Sequence, residues 1–274
     1  MDGRDKRSQP RATRFWHEAL PPFLLVCFVV LVWQTVAVRS GLSAFILPSP
    51  IQVAQATYET WDILLPAIGT TMVETAIGLG IAIVFGVSIA GVMDLSNLLR
   101  RALYPLLVAS QTVQILAIAP LLIIWFGFGL LPKVLVVILI CFFPLAVNTA
   151  DGLASADPDL VALLRSMGAR RSQIWRMVRL PAALPSFFSG LRIAVTYSVV
   201  GATIAEWVGG SAGLGLYMLR SKNALATDQV FVAIVVTSVI SIGLYTLVYA
   251  LERAVLPWYH TAQREEHWEG AGIY

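Results

Sequence analysis

Few side chains in this sequence can do chemistry, and most of those lie in apolar surroundings. Glu74, Arg192 and Glu206 each interrupt or end a long hydrophobic stretch. A charge inside a membrane costs about 2.5–3.5 kcal/mol on insertion scales, so such residues are paired, gating or transport groups. Gln111 and Gln114 are three residues apart, a spacing that puts both amides on one helix face. With Asn148 and Asn223 they supply neutral donors and acceptors for a polar solute or for neighbouring helices. No nucleophile–base pairing is visible. No G-x-x-x-x-G-K-[ST] phosphate loop occurs, so ATP hydrolysis by this chain is not expected. His17-Glu18 lacks the second histidine of a zinc-protease motif. His17, His260 and His267 are scattered, and Cys27 and Cys141 both sit in apolar runs. That pattern predicts neither a metal site nor a disulfide, and no cofactor in this chain.

One segment concentrates charge. Arg165-Ser-Met-Gly-Ala-Arg-Arg-Ser-Gln-Ile-Trp-Arg-Met-Val-Arg-Leu-Pro181 carries five arginines, whereas Lys133 is the only cation between Ala102 and Leu164. The chain has 274 residues, 58% hydrophobic and 13% charged, with a mean hydropathy of +0.77. Soluble domains carry about 25% charged residues, so this inventory cannot cover a water-facing surface. The net charge of +3 is therefore no sign of a nucleic-acid partner. It matters through where the cations fall between apolar runs.

Those runs predict an all-α membrane protein of six transmembrane helices. The spans are Pro22–Val38, Pro66–Met93, Leu103–Phe128 with a kink at Pro120, Pro132–Ala150, Ala183–Val208 and Val230–Leu256. Residues 1–21 and 258–274 form tails around a 22–257 membrane domain. Gly78, Gly80, Gly86, Gly91, Gly190 and Gly201 mark spans two and five as interior helices, because small residues let helices approach closely. Fourteen of the nineteen Lys and Arg residues fall on the side of the N-terminus, including Arg100, Arg101 and the five of the central loop. The positive-inside rule then predicts both termini in the cytoplasm. The stretch Arg4–Val38 starts basic, but its core is long, holds Trp33 and Gln34, and has no small-x-small exit. It reads as a retained span and not a cleaved signal. Glu74 is the one carboxylate expected in a span interior. Glu206, before Trp207 and the glycines 209, 210, 213 and 215, is expected at an outer gate or a partner contact.

The loop at residues 151–182 has its own helical grammar. Asp157 fits an N-cap, Pro158 the first helical position and Asp159 the first turn. Leu160, Leu164 and Met167 share one face, and Gly168 fits the residue past the helix end, where positive φ is required. A second short helix begins near Ser172, with Ile174, Met177 and Val178 on one side. Pro181 and Pro185 are expected to close it. Two such helices can lie on anionic lipid or fill a groove in another protein.

Gly168, nine residues and then Val178-Arg-Leu-Pro181 resembles the cytoplasmic-loop motif of ABC importer permeases, which runs Glu-Ala-Ala, three residues, Gly, nine residues, Ile-x-Leu-Pro. Here Ala162-Leu163-Leu164 stands at the opening triplet. Four further stretches resemble the nitrate, sulfonate, taurine and thiamine-precursor branch of that family. They are Phe45-Ile-Leu-Pro-Ser-Pro-Ile-Gln-Val53, Ile118-Ala-Pro-Leu-Leu-Ile-Ile-Trp-Phe-Gly127, Phe143-Pro-Leu-Ala-Val-Asn-Thr149 and Ala205-Glu-Trp-Val-Gly-Gly-Ser-Ala-Gly-Leu-Gly215. The resemblance covers residues 45–257. It implies a permease in a bacterial inner membrane that imports a small organic nutrient. The partners it implies are ATPase subunits that bind ATP and Mg, a periplasmic or lipid-anchored binding protein, and a second permease copy. It implies a coupling loop made of Leu160, Leu164, Arg165, Met167, Gly168, Ala169, Arg170, Ile174, Leu180 and Pro181, and pathway residues drawn from Glu74, Gln111, Gln114, Asn148 and Glu206. Thiamine-related pyrimidine precursors lead the implied substrates, with sulfonates, taurine, nitrate and riboflavin open. An ion-gradient carrier is the alternative class; it calls for matched halves and mid-membrane carboxylates.

Overall fold

A computed structural model describes residues 11–39, 41 and 45–259. All its regular elements are helices: α1 (Arg11–Arg39), α2 (Pro50–Glu59), α3 (Trp61–Leu95), α4 (Asn97–Ser110), α5 (Ile115–Phe126), α6 (Leu130–Ala154), α7 (Pro158–Ser166), α8 (Arg171–Ile174), a π-helical turn (Trp175–Arg179), α9 (Leu180–Gly209), α10 (Leu214–Asn223) and α11 (Thr227–Val255). Among the described residues five helices are long and apolar enough to cross a membrane, and a sixth crossing arises if α4 and α5 are counted as one broken span. The expected tails at 1–10 and 260–274 lie outside the described residues, and α1 already begins at Arg11.

The chain forms two compact units. Of the described residues, the first holds those from 11 to 61 and 221–232. From Leu20 onward α1 exposes nearly all of its apolar surface, as a helix solvated by hydrocarbon does. The Phe45–Val53 stretch has a structural explanation here. The Trp33 indole N–H donates to the Pro48 carbonyl at 3.1 Å. Ser49 caps α2 and Gln52 returns the bond to the Ser49 N–H at 2.8 Å, a capping box with Pro50 at the helix start.

The second unit, residues 62–220 and 233–259 of those described, is built on α3, α6 and α9. Ala82, Val137, Cys141, Leu145, Ala194 and Val195 form its centre, all at most 1% exposed. The Cys141 thiol donates to the Ala194 carbonyl at 3.2 Å, so it serves as a small core residue. Small residues set the spacing. A Cβ on Gly190 would sit 2.6 Å from the Pro144 carbonyl oxygen, and one on Gly78 would sit 2.6 Å from Val137. Gly80 and Gly91 meet nothing within 4 Å, so only part of the expected glycine set makes helix contacts.

Two expectations fail. Span three does not kink at Pro120, which lies inside an unbroken α5. It breaks at residues 111–114, where α4 and α5 bend by 94°. Nor do Pro181 and Pro185 close the loop helix: Arg171–Gly209 is one continuous helical stretch of 39 residues. For Pro181 the π-helical turn is the reason. Proline lacks an N–H and crowds the preceding turn. Just before Pro181 the Leu180 N–H reaches the Trp175 carbonyl five residues back, which widens the helix there.

Candidate functional site

The second unit carries polar groups at both ends and in its middle. At one end α7 projects on a built turn. Asp157 accepts from the Asp159 N–H at 2.8 Å and Pro158 starts the helix. Gly168 takes φ +83°, the Ala169 N–H reaches the Leu164 carbonyl at 2.9 Å, and the Gly168 N–H reaches Arg165 at 3.1 Å. These are the two bonds of a Schellman motif. None of the residues of α7 is buried. Leu160, Leu163 and Met167 are exposed and Leu164 is half-buried, so the free apolar ridge runs through Leu163 and not Leu164 as expected. Ile174 differs from its expected role as well. It is buried and cannot belong to a free docking face, while Met177 is exposed.

Beneath this turn lies a cleft of about 920 Å³ between the ends of α3, α4 and α6 and the α8 segment. Arg100, Arg165, Arg171, Arg176 and Arg179 line it against one carboxylate, Asp94. Arg179 pairs with Asp94, and Arg100 pairs with Asp151 at 3.0 Å. Among the described residues Arg165, Arg170, Arg171 and Arg176 make no ion pair, so even with Asp157 and Asp159 the loop presents net positive charge. Neither acidic partner was singled out from sequence, because both lie at span ends, where a carboxylate is unremarkable.

At the opposite end Glu206 is fully buried. The Gly215 N–H donates to its Oε2 at 2.5 Å and the Thr71 hydroxyl to its Oε1 at 2.7 Å. The Leu214 N–H in turn donates to Thr71 Oγ1 at 2.9 Å. Two side chains from α9 and α3 therefore cap the N-terminus of α10, where a carboxylate is favoured. The glycine run exists to seat this carboxylate. Gly213 adopts φ +113°, and a Cβ there would overlap the Glu206 carboxyl group. Glu206 is thus not placed to touch a partner protein directly. The glycine run leads into the short helix α10.

Lys133 donates to Glu74 at 2.6 Å; both are buried. Arg192 sits 3.0 Å from Glu252 Oε2, and Glu252 is 3% exposed. Glu74 is thus not the sole intramembrane carboxylate. With Arg253 beside it in the last turn of α11, Glu252 has the sequence signature of an interfacial residue. Asn148 donates its amide N–H to the Pro144 carbonyl at 2.8 Å and packs its Cβ against Gly190, so it joins α6 to α9. Gln111 and Gln114 do not share a helix face. They cap the two sides of the α4–α5 break, both exposed.

Residues 82–258 match the family described as binding-protein-dependent transport system inner membrane component. The chain belongs to that family. This permease is 38% identical to the formylaminopyrimidine transport permease ThiX of Halalkalibacterium halodurans, over 88% of this chain and 97% of that one. It is 35% identical to the riboflavin transport system permease RibX of Chloroflexus aurantiacus, over 89% and 92%. It is 31% identical to the taurine permease TauC of Escherichia coli, over 85% and 87%. The fold is also that of an amino acid ABC transporter crystal structure, with a TM-score of 0.62 at 16% identity, covering 73% of this chain and 97% of that one. The permease is therefore a transport subunit of an ABC importer, and its relatives are transport components and not enzymes.

Proposed function

We propose that this permease carries a small nitrogen heterocycle inward, as a homodimer driven by a separate ATPase that docks on α7. The observation that carries the docking is the exposed ridge of Leu160, Leu163 and Met167 on a helix with no buried residue, held by a Schellman turn beside unpaired arginines. An apolar helix face with flanking charge suits a groove in a partner. Arg165, Met167, Gly168, Ala169 and Arg170 form the docking element; Leu180 and Pro181 join it to α9. In this reading α7, residues 1–21 and residues 258–274 face the cytoplasm, as the cation bias supports. ATP and Mg are bound by the ATPase, and a binding protein delivers the solute to the α10 end. The heterocycle rests on the names of the two relatives at 38% and 35% identity, which transport formylaminopyrimidine and riboflavin.

The test is reconstitution in proteoliposomes. The permease alone should hydrolyse no ATP. With its ATPase, turnover should rise when the loaded binding protein is added, and formylaminopyrimidine should accumulate inside. Hydrolysis by the permease alone would refute the division of labour, and preferential uptake of taurine would refute the heterocycle.

A further inference from the structure

The break between α4 and α5 has a depth that can be read from its neighbours. Leu107 of α4 packs with Ala146, Ala150 and Leu153, in the second half of α6. Ala119 and Leu122 of α5 pack with Val136 of α6, in its first half, and with Ala205. Residues 111–114 therefore lie level with the middle of α6. That helix has 25 residues, about 37 Å at 1.5 Å per residue, which is enough to cross the hydrocarbon core. The break thus lies level with the middle of a helix long enough to span the membrane.

Its chemistry is wrong for lipid. Gln111, Thr112, Val113 and Gln114 are all exposed. The turn is held by three i→i−3 bonds, one of them stretched to 3.4 Å from Val113 N to Ser110 O. Gln114 opens α5 without a side-chain cap, so the first peptide N–H groups of α5 lack acceptors among the described residues. Neither glutamine amide has a partner among the described residues. Irregular backbone at this depth persists only where protein buries it or where it lines a water-filled cavity. Two free amides beside it match the second case, since an unpaired amide in hydrocarbon is costly.

We propose that this break is a solvated substrate-contact point at mid-membrane, where the Gln111 and Gln114 amides hydrogen-bond a neutral polar heterocycle in transit. A glutamine amide presents a carbonyl acceptor beside an NH₂ donor. That pair is complementary to a ring nitrogen next to an exocyclic amine, as in the bidentate reading of adenine by Asn or Gln. An aminopyrimidine edge has this pattern, whereas a sulfonate offers acceptors alone. The ligand class rests on the heterocycle reading above; the solvation of the break does not.

The experiment uses the complete complex with its ATPase and binding protein in proteoliposomes. Gln111→Cys and Gln114→Cys are made on a Cys27→Ser background; Cys141 is fully buried and stays. Both cysteines should react with a membrane-impermeant thiol reagent, and formylaminopyrimidine should slow the reaction. In the Gln111→Leu/Gln114→Leu variant, formylaminopyrimidine moved per ATP hydrolysed should fall about tenfold, the loss of one or two neutral hydrogen bonds. Conservative Gln→Asn changes should recover part of it, which a merely structural role would not require. Two unreactive cysteines would overturn the proposal, because the break would then be sealed by lipid or by the second copy. So would unchanged transport per ATP in the double leucine variant. Failure of the wild type to move formylaminopyrimidine would overturn the heterocycle reading instead. Labelling separates the two, because it needs no particular solute.

Discussion

Gly168→Val should uncouple the importer without unfolding it. The residue sits at φ +83° and its own N–H and that of Ala169 tie off the Arg165 and Leu164 carbonyls. Left-handed backbone costs a residue with a Cβ about 1–2 kcal/mol, with β-branched residues at the top of that range. At 1.4 kcal/mol per tenfold, Gly168→Ala should lower the equilibrium constant for forming the turn about fivefold and Gly168→Val tenfold or more. Asn tolerates this conformation, so Gly168→Asn should lie between wild type and Ala. The strain is local because α7 buries no residue and can swing away without opening the core. The assay is ATP turnover by the reconstituted complex, stimulated by loaded binding protein, with thermal unfolding of the permease as the control. Stimulation should fall in the order Gly, Asn, Ala, Val while the melting temperature holds. Wild-type stimulation in Gly168→Val would refute the reasoning. A collapse in melting temperature would refute its premise that the turn is separate from the core.

Glu206→Gln should cost about 1–2 kcal/mol of stability, as the amide keeps one acceptor for the Gly215 N–H and must reverse its bond to the Thr71 hydroxyl, whereas Glu206→Ala should cost about 3–5 kcal/mol by stranding the Gly215 N–H beside a cavity. Thermal unfolding ranks the two, and a stable Glu206→Ala would remove the capping role. Gly213→Ala should lower stability without touching charge, since its new methyl meets the Glu206 carboxyl group; a wild-type melting curve would contradict the packing. Lys133→Met should destabilise by about 3–5 kcal/mol by leaving Glu74 buried and unpaired, and Lys133→Met/Glu74→Leu should recover most of that in chemical denaturation. No recovery in the double variant would place the effect outside the pair.

Local backbone grammar was the most legible part of the sequence. Asp157-Pro158 and Gly168 mark a helix start and stop by stereochemistry that needs no tertiary contact, and α7 follows them closely. Hydropathy likewise located α1, α3, α6, α9 and α11, because lipid demands long uninterrupted apolar helices. The α4–α5 break was missed for a related reason. Pro120 drew the kink, yet a proline can sit in a helix whose neighbours absorb the freed carbonyl. The break fell instead at Ser110-Gln-Thr-Val-Gln114, where polar side chains offer the backbone no strong alternative signal.

Charge placement was legible and charge partnership was not. Glu74, Arg192 and Glu206 stood out from their apolar flanks, but their partners Lys133, Glu252 and Thr71 lie 59, 60 and 135 residues away. The error on Glu206 follows from that gap. An acidic residue before a glycine run at a span end looks like an exposed gate residue, because flexible turns are usually wet. Here the glycines make room for the carboxylate and are themselves held by it: Gly215 donates its N–H, and Gly213 gives up the volume a Cβ would fill. The same residues thus make a rigid, buried clamp between α3, α9 and α10. Any opening at this end must either move that clamp as one body or break its hydrogen bonds to Glu206. The first route conserves buried hydrogen bonds and the second strands them, so rigid-body motion of the clamp is the lower-energy path.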